Sequence, residues 1–155
     1  SSSFQDSVFR LKSDSVLIAS DIVTAGRTSR NEIFDYDIYS SKTRIYVDDE
    51  LKLYDSCCIT PETMDPARRG LLEGKLSSGT VYAYAPDIPE GICDRLNAAA
   101  HDSDIEAAAG LVDSRIITVR FIGTDMIAIK DFVYDIWDIL RCELIGKGAV
   151  RVRKY

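Results

Sequence analysis

Between Asp125 and Gly146 the apolar residues return at the spacing of one helical face: Ile129, Phe132, Val133, Ile136, Trp137, Leu140 and Leu144. A stripe of that width needs an apolar surface to lie on, so any fold open to this chain must supply one. Thr124 or Asp125 can cap the start, and Gly146 can take the left-handed stop, which places a helix at about 125–145. Strands can supply that surface. Val16 to Ile18 and Ile22–Val23 form a nearly continuous apolar run, the pattern of a strand covered on both faces. Phe34, Tyr36 and Ile38 alternate with Asp35 and Asp37, and Thr43 to Val47 and Leu51 to Tyr54 repeat that period of two around a turn at Asp48–Asp49. Short strands separated by turns predict an antiparallel β unit over the first sixty residues.

Residues 61–79 read as a loop, punctuated by Pro61, Pro66, Gly70, Gly74 and Gly79, with room for one short helix between Pro66 and Leu76. Beyond it, Val81 to Ala85 reads as a strand. Pro89 stands where the first turn of a helix tolerates proline, and Ile92, Leu96 and Ala99 or Ala100 recur on one face. The stretch after that has two readings. Ala107 to Val112 and Arg115 to Ile122 make a hairpin about Asp113–Ser114, or Ser103 and Glu106 form a capping box for a short helix ending at Gly110. The expected class is α+β: a β-rich part over 1–60, the loop, and an α+β part over 80–155 holding two helices, all in one structural domain. A length of 155 residues with 46% apolar content suits a single packed core.

Charge removes some functions. Nineteen Lys and Arg against 25 Asp and Glu leave the chain at −6, which does not favour nucleic acid, where clustered cations must release counterions. The longest apolar stretches are broken by Arg120 and Asp125, short of the roughly 18 uncharged residues a membrane helix needs. The start carries no basic segment followed by an apolar core. Cys57, Cys58, Cys93 and Cys142 make a poor disulfide framework, so reduced thiols in a cytoplasmic protein are expected.

Chemistry-bearing constellations are sparse. There is one histidine, His101, near a helix end where a cation suits the dipole, and no C-x-x-C pair. Cys57 and Cys58, if adjacent on a strand, point to opposite faces, and each of the four cysteines reads as a small buried or half-buried residue. Asp131, Asp135 and Asp138 line one face of the last helix, either as a solvated face or as a cation or basic-partner site, or as the acids of a hydrolase. No G-x-S-x-G, G-x-x-x-x-G-K-[ST] or G-x-G-x-x-G occurs. An enzyme is not expected from these residues. In the segment Asp21 to Arg27 a strand runs into a Gly26 turn, where Arg27 can pair with Glu32 or Asp21.

Those residues carry a resemblance. Phe4-Gln5-Asp6-Ser7-x-Phe9, then Asp21-Ile22-Val23-x-x-Gly26-Arg27, then Glu32-x-Phe34 resemble the UreD/UreH family of urease accessory proteins. Val119-Arg120-Phe121-Ile122-Gly123 looks like the family's strand before its final helix, and Trp137, Arg141, Gly146 and Arg153 fit its closing W…R…G…R pattern. Asn31, Val152 and Tyr155 stand where the family commonly has Gly, Pro and Trp. The matched part is the family's C-terminal portion. The longer N-terminal β-rich part, with its Gly-Gly loop, is missing, which implies a fragment, an isolated domain or a shortened relative, with exposed strand edges if strands were removed.

The resemblance implies antiparallel or β-helical-type sheets with two C-terminal helices. It also implies a non-catalytic, cytoplasmic scaffold or chaperone that complexes with UreF, UreG and apo-urease for nickel insertion. No tightly bound cofactor is expected, with nickel passing transiently towards ligands that lie in urease itself. Asp21, Arg27, Glu32, Asp55, Arg141 and Arg153 are then the candidates for partner binding or for the nickel path. The alternative is a small α+β domain that binds a protein or ligand unrelated to urease.

Overall fold

The computed structural model describes residues 2–24, 26–27, 32–33, 38–59, 77–103 and 105–147. Its strands are β1 (Ser2–Leu11), β2 (Leu17–Thr24), β3 (Gly26–Arg27), β4 (Glu32–Ile33), β5 (Ile38–Val47), β6 (Glu50–Ile59), β7 (Ser77–Tyr84), β8 (Glu106–Asp113) and β9 (Ile116–Gly123). The helices are α1 (Ile92–His101) and α2 (Met126–Ile145). The class is α+β with a β-rich part, as the sequence predicts.

The strands form two larger sheets, β1-β5-β6 and β2-β7-β9-β8, and the small pair β3-β4. The expectation of one antiparallel unit in the first sixty residues is corrected here. β1 pairs β5 in parallel from Ser2↔Ile38 to Leu11↔Val47, and β2 belongs to the other sheet, where it pairs β7. Strands adjacent in sequence thus lie in different layers, which an apolar pattern cannot reveal. β2 is also not covered on both faces: Val16 lies outside it at 41% exposure, and Leu17, Ile18 and Ala19 are half-buried. The Asp48–Asp49 turn is present, with φ of 48° and 65° at the two residues. Positive φ at both central positions matches the right-handed twist of the flanking strands, and Asp tolerates it better than most residues.

β7 starts at Ser77, inside the segment read as a loop, while residues 61–76 and their proposed helix lie outside the described residues. So do Phe34 to Asp37. Pro89 is not in α1: Gly91, at φ 78°, caps that helix, and the Ile92 N–H donates to the Pro89 carbonyl. Of the two readings after α1, the hairpin holds. β8 and β9 join through Ser114–Arg115, one residue later than the expected turn, with a bulge between Leu111 and Asp113. Ser103 caps no helix. Its hydroxyl donates to the Ala100 carbonyl and accepts from the Ile105 N–H, turning the chain from α1 towards β8.

The layers stack because β7 and β9 alternate. Val81 and Ala83 of β7 and Ile117, Val119 and Phe121 of β9 face the helices, where they pack with Ile92, Leu96, Ile129, Phe132, Ile136 and Leu140. Tyr82 and Tyr84 face the β1-β5-β6 sheet and meet Ile45, Val47, Leu53 and Ile116. The predicted stripe on α2 is therefore the buried one, and each such side chain contributes about 1.5–3 kcal/mol relative to exposure. Phe132 sets its ring edge-on to Phe121 at 5.6 Å. Asp125 caps α2, its Oδ1 accepting from the Ile127 N–H, and Gly146 ends it at φ 68°. An ion pair from Arg95 to Glu143 (2.6 Å) ties the two helices at the surface.

Candidate functional site

The space between the two sheets changes character along its length. Near the Asp48–Asp49 turn it is filled by Leu17, Tyr84, Ile116, Ile45, Val47 and Leu53. Towards the other end the inward positions turn polar. One rung of the second sheet aligns Asp21, Thr80, Arg120 and Ala108 across β2, β7, β9 and β8. Opposite it the first sheet presents Ser41, Thr43, Asp55 and Cys57. Small and polar side chains cannot fill the gap that Tyr and Ile fill further along, and a cleft of about 500 Å³ results. That size is in the range of small-molecule sites.

Two hydrogen-bonded groups organise the cleft. Tyr82, 4% exposed, donates from its hydroxyl to Asp55 Oδ2 at 2.7 Å. Arg120 Nη1 stands 3.0 Å from the same oxygen and 3.4 Å from Thr80 Oγ1. Across the gap the Ser41 hydroxyl donates to Asp21 Oδ2 at 2.8 Å. Arg120 keeps more than half its side chain in solvent, so its pairing with Asp55 is worth little on its own. The buried partner matters more. Burial, then the hydrogen bond to Asp55 and that carboxylate's charge, push the Tyr82 hydroxyl well above the ordinary tyrosine value, and hydrogen bonds with Thr43 and Thr80 act the other way. Cys57 is exposed overall, yet desolvation on its cleft side raises its thiol, helped by Asp55, Cys58 and Asp21 and opposed by Arg120.

The cleft gathers two of the six candidates for partner binding or the nickel path, Asp21 and Asp55, together with Cys57. Arg27 and Glu32 lie opposite each other in the β3-β4 ladder. Arg141 lies on α2, on the helical layer, and Arg153 is outside the described residues. Asp131, Asp135 and Asp138 are exposed on α2 and do not line the cleft. Cys57, Cys58 and Cys142 are exposed, not buried or half-buried as expected, while Cys93 is half-buried. Cys57 and Cys58 do point to opposite faces, one into the cleft and one outward, as their partners Ser41 and Ser40 in β5 require. Sequence reasoning missed Tyr82, Thr80 and Arg120. The signal was present in Thr80-Val81-Tyr82 and Val119-Arg120-Phe121, where polar residues alternate with core ones.

Among the described residues no group of three His, Cys, Asp or Glu is placed to hold a metal ion. Asp21, Asp55 and Cys57 therefore supply scattered oxygen and sulfur atoms along the cleft, without a closed ligand set among the described residues. No helix among these residues is long and apolar enough to cross a membrane.

Two packed sheets with a two-helix cover and a polar cleft between the sheets define an α+β protein. A family model described as UreD urease accessory protein matches residues 1–154. Urease accessory protein UreD of Sporosarcina pasteurii is 30% identical over 132 residues, covering 84% of this chain and 51% of that protein. That of Haloarcula marismortui is 32% identical over 140 residues, covering 89% and 47%. That of Klebsiella pneumoniae is 31% identical over 152 residues, covering 94% and 50%. The chain belongs to the UreD urease accessory protein family, and it spans about half the length of the curated relatives it matches.

Proposed function

We propose that this chain is a non-catalytic scaffold of urease maturation, working in the cytoplasm within a complex of UreF, UreG and apo-urease that inserts nickel. The family match across residues 1–154 carries this reading. The polar cleft is in keeping with it. Asp21 and Asp55 offer carboxylate oxygens to a hard or borderline cation in transit, and the lack of a closed ligand set among the described residues suits passage better than storage. Arg27, Glu32, Arg141 and Arg153 are assigned to partner contacts or to the approaches of that path.

The test is co-purification of the chain with UreF from the same source, followed by sizing with and without nickel. A stable complex is expected. If neither this chain nor a version extended to the length of its relatives retains UreF, the scaffold reading is lost and a binding domain unrelated to urease replaces it.

A further inference from the structure

The outer face of the β1-β5-β6 sheet has a composition at odds with the rest of the chain. Its outward rungs place Arg10 beside Tyr46, Val8 beside Arg44 and Tyr54, and Asp6 beside Lys42. Three cations stand there against one carboxylate, in a protein of net charge −6. Two of the cations are also held in place. The Arg10 guanidinium lies 4.6 Å from the centre of the Tyr46 ring, and that of Arg44 lies 5.3 Å from the Tyr54 ring. Arg44 is fixed further by Asp6, with contacts of 2.9 and 3.1 Å to its two oxygens. Around them Phe4 is 73% exposed, Tyr54 51% and Val8 46%.

Arginines fixed on tyrosines lose little side-chain freedom when a partner arrives, and exposed aromatic and apolar groups beside them supply area to bury. We propose that this face docks an acidic protein surface, one presenting carboxylates among apolar side chains, with Arg10 and Arg44 as its anchors. The inference rests on the scaffold reading and adds to it the docking face, which lies on the opposite side of the sheet from the cleft. A protein fits better than an anionic membrane. Membrane-binding clusters carry roughly four to eight cations, whereas here three are present, two are stacked, and one of those is paired with Asp6. The charge on the face also makes docking weaken with salt.

The test uses the full chain and three variants: Arg10→Glu/Arg44→Glu, Arg10→Gln/Arg44→Gln, and the control Lys130→Glu on the exposed side of α2. Binding to UreF, UreG and apo-urease is measured at low and high salt after circular dichroism confirms folding, with phosphatidylglycerol vesicles in parallel. Charge reversal is expected to weaken one of the three partners at least about tenfold, and the neutral pair less, while Lys130→Glu stays near wild type. Should the reversed protein misfold, the glutamine pair and the salt dependence decide. Unchanged binding by both arginine variants overturns the docking face but leaves the scaffold reading standing. Absence of any partner for the wild-type chain and its extended version removes both. Arginine-dependent binding to the vesicles alone overturns the proposal in favour of a membrane surface.

Discussion

The side-chain amide of Asn97 meets Ala109 as a neighbouring strand would: its Nδ2 donates to the Ala109 carbonyl at 3.1 Å and its Oδ1 accepts from the Ala109 N–H at 2.8 Å. β8 is an edge of its sheet, and these two groups would otherwise be left without a ladder partner. α1 thus closes the middle of that edge with one side chain. Asn97→Ala is expected to lower stability by about 1–3 kcal/mol, because both backbone groups lose their partner together. Thermal unfolding measures it, and hydrogen exchange at Ala109 should speed up while Val119 in β9 stays protected.

The raised Tyr82 hydroxyl gives stability a dependence on alkaline pH. A folded-state value above the unfolded one means the folded protein holds this proton longer. The contribution is complete below the unfolded value of about 10 and is lost as pH rises above it towards the folded value. The urea midpoint of the wild type should therefore fall more steeply between about pH 9 and about pH 11 than that of Tyr82→Phe. Equal slopes would remove Tyr82 as the cause. At neutral pH the same variant should cost about 1–3 kcal/mol, since it strips a charge-assisted hydrogen bond from Asp55.

Cleft electrostatics can be read from Cys57. In a background with the other cysteines changed to serine, its alkylation rate at fixed pH tracks the thiolate fraction. Removing the neighbouring negative charge by Asp55→Asn should accelerate the reaction, by up to about tenfold for each unit the thiol falls. Removing the positive one by Arg120→Gln should slow it. Rates that ignore both changes would mean the thiol reacts from outside the cleft.

Gly79 is the only residue type that fits its place in β7. A Cβ there would meet the backbone carbonyl of Asp21 and the Phe121 ring at 2.5 Å each. Neither gives way cheaply, since one is backbone and the other is packed against Phe132. Gly79→Ala is expected to destabilise by about 1–3 kcal/mol and to displace Phe121, detectable as altered aromatic shifts in NMR spectra.

The helical layer was legible because α2 carries its own instructions: an aspartate cap, a stripe at 3.6 residues and a glycine stop. The Asp48–Asp49 turn and the β5-β6 hairpin were legible for the same local reason. The sheet assignment was not. Nothing local distinguishes a β1 that pairs with β5 from one that pairs with β2, since pairing partners are chosen by the three-dimensional route of the chain. The cleft was half legible. Asp21 stood out through its motif and Asp55 only through what the resemblance implies, but Tyr82 and Arg120 looked like ordinary strand residues until β7 and β9 put them on the face opposite β6. Proline at position 89 misled because it opens the turn before α1 and not the helix itself.

The parallel pairing of β1 with β5, taken with the pairing of β2 with β7, sets an order of events for a nascent chain. Neither of the first two strands finds its partner next door: Leu11 waits for Val47, and Leu17 waits for Tyr84. Closing such distant pairs costs loop entropy before any contact repays it, so assembly should be slow. At roughly 5–20 residues per second, the ribosome leaves β2 without β7 for several seconds after it emerges. In that interval its Ile18, Ile22 and Val23 lack the cover that β7 brings, so a holding chaperone acting then is expected to raise yield.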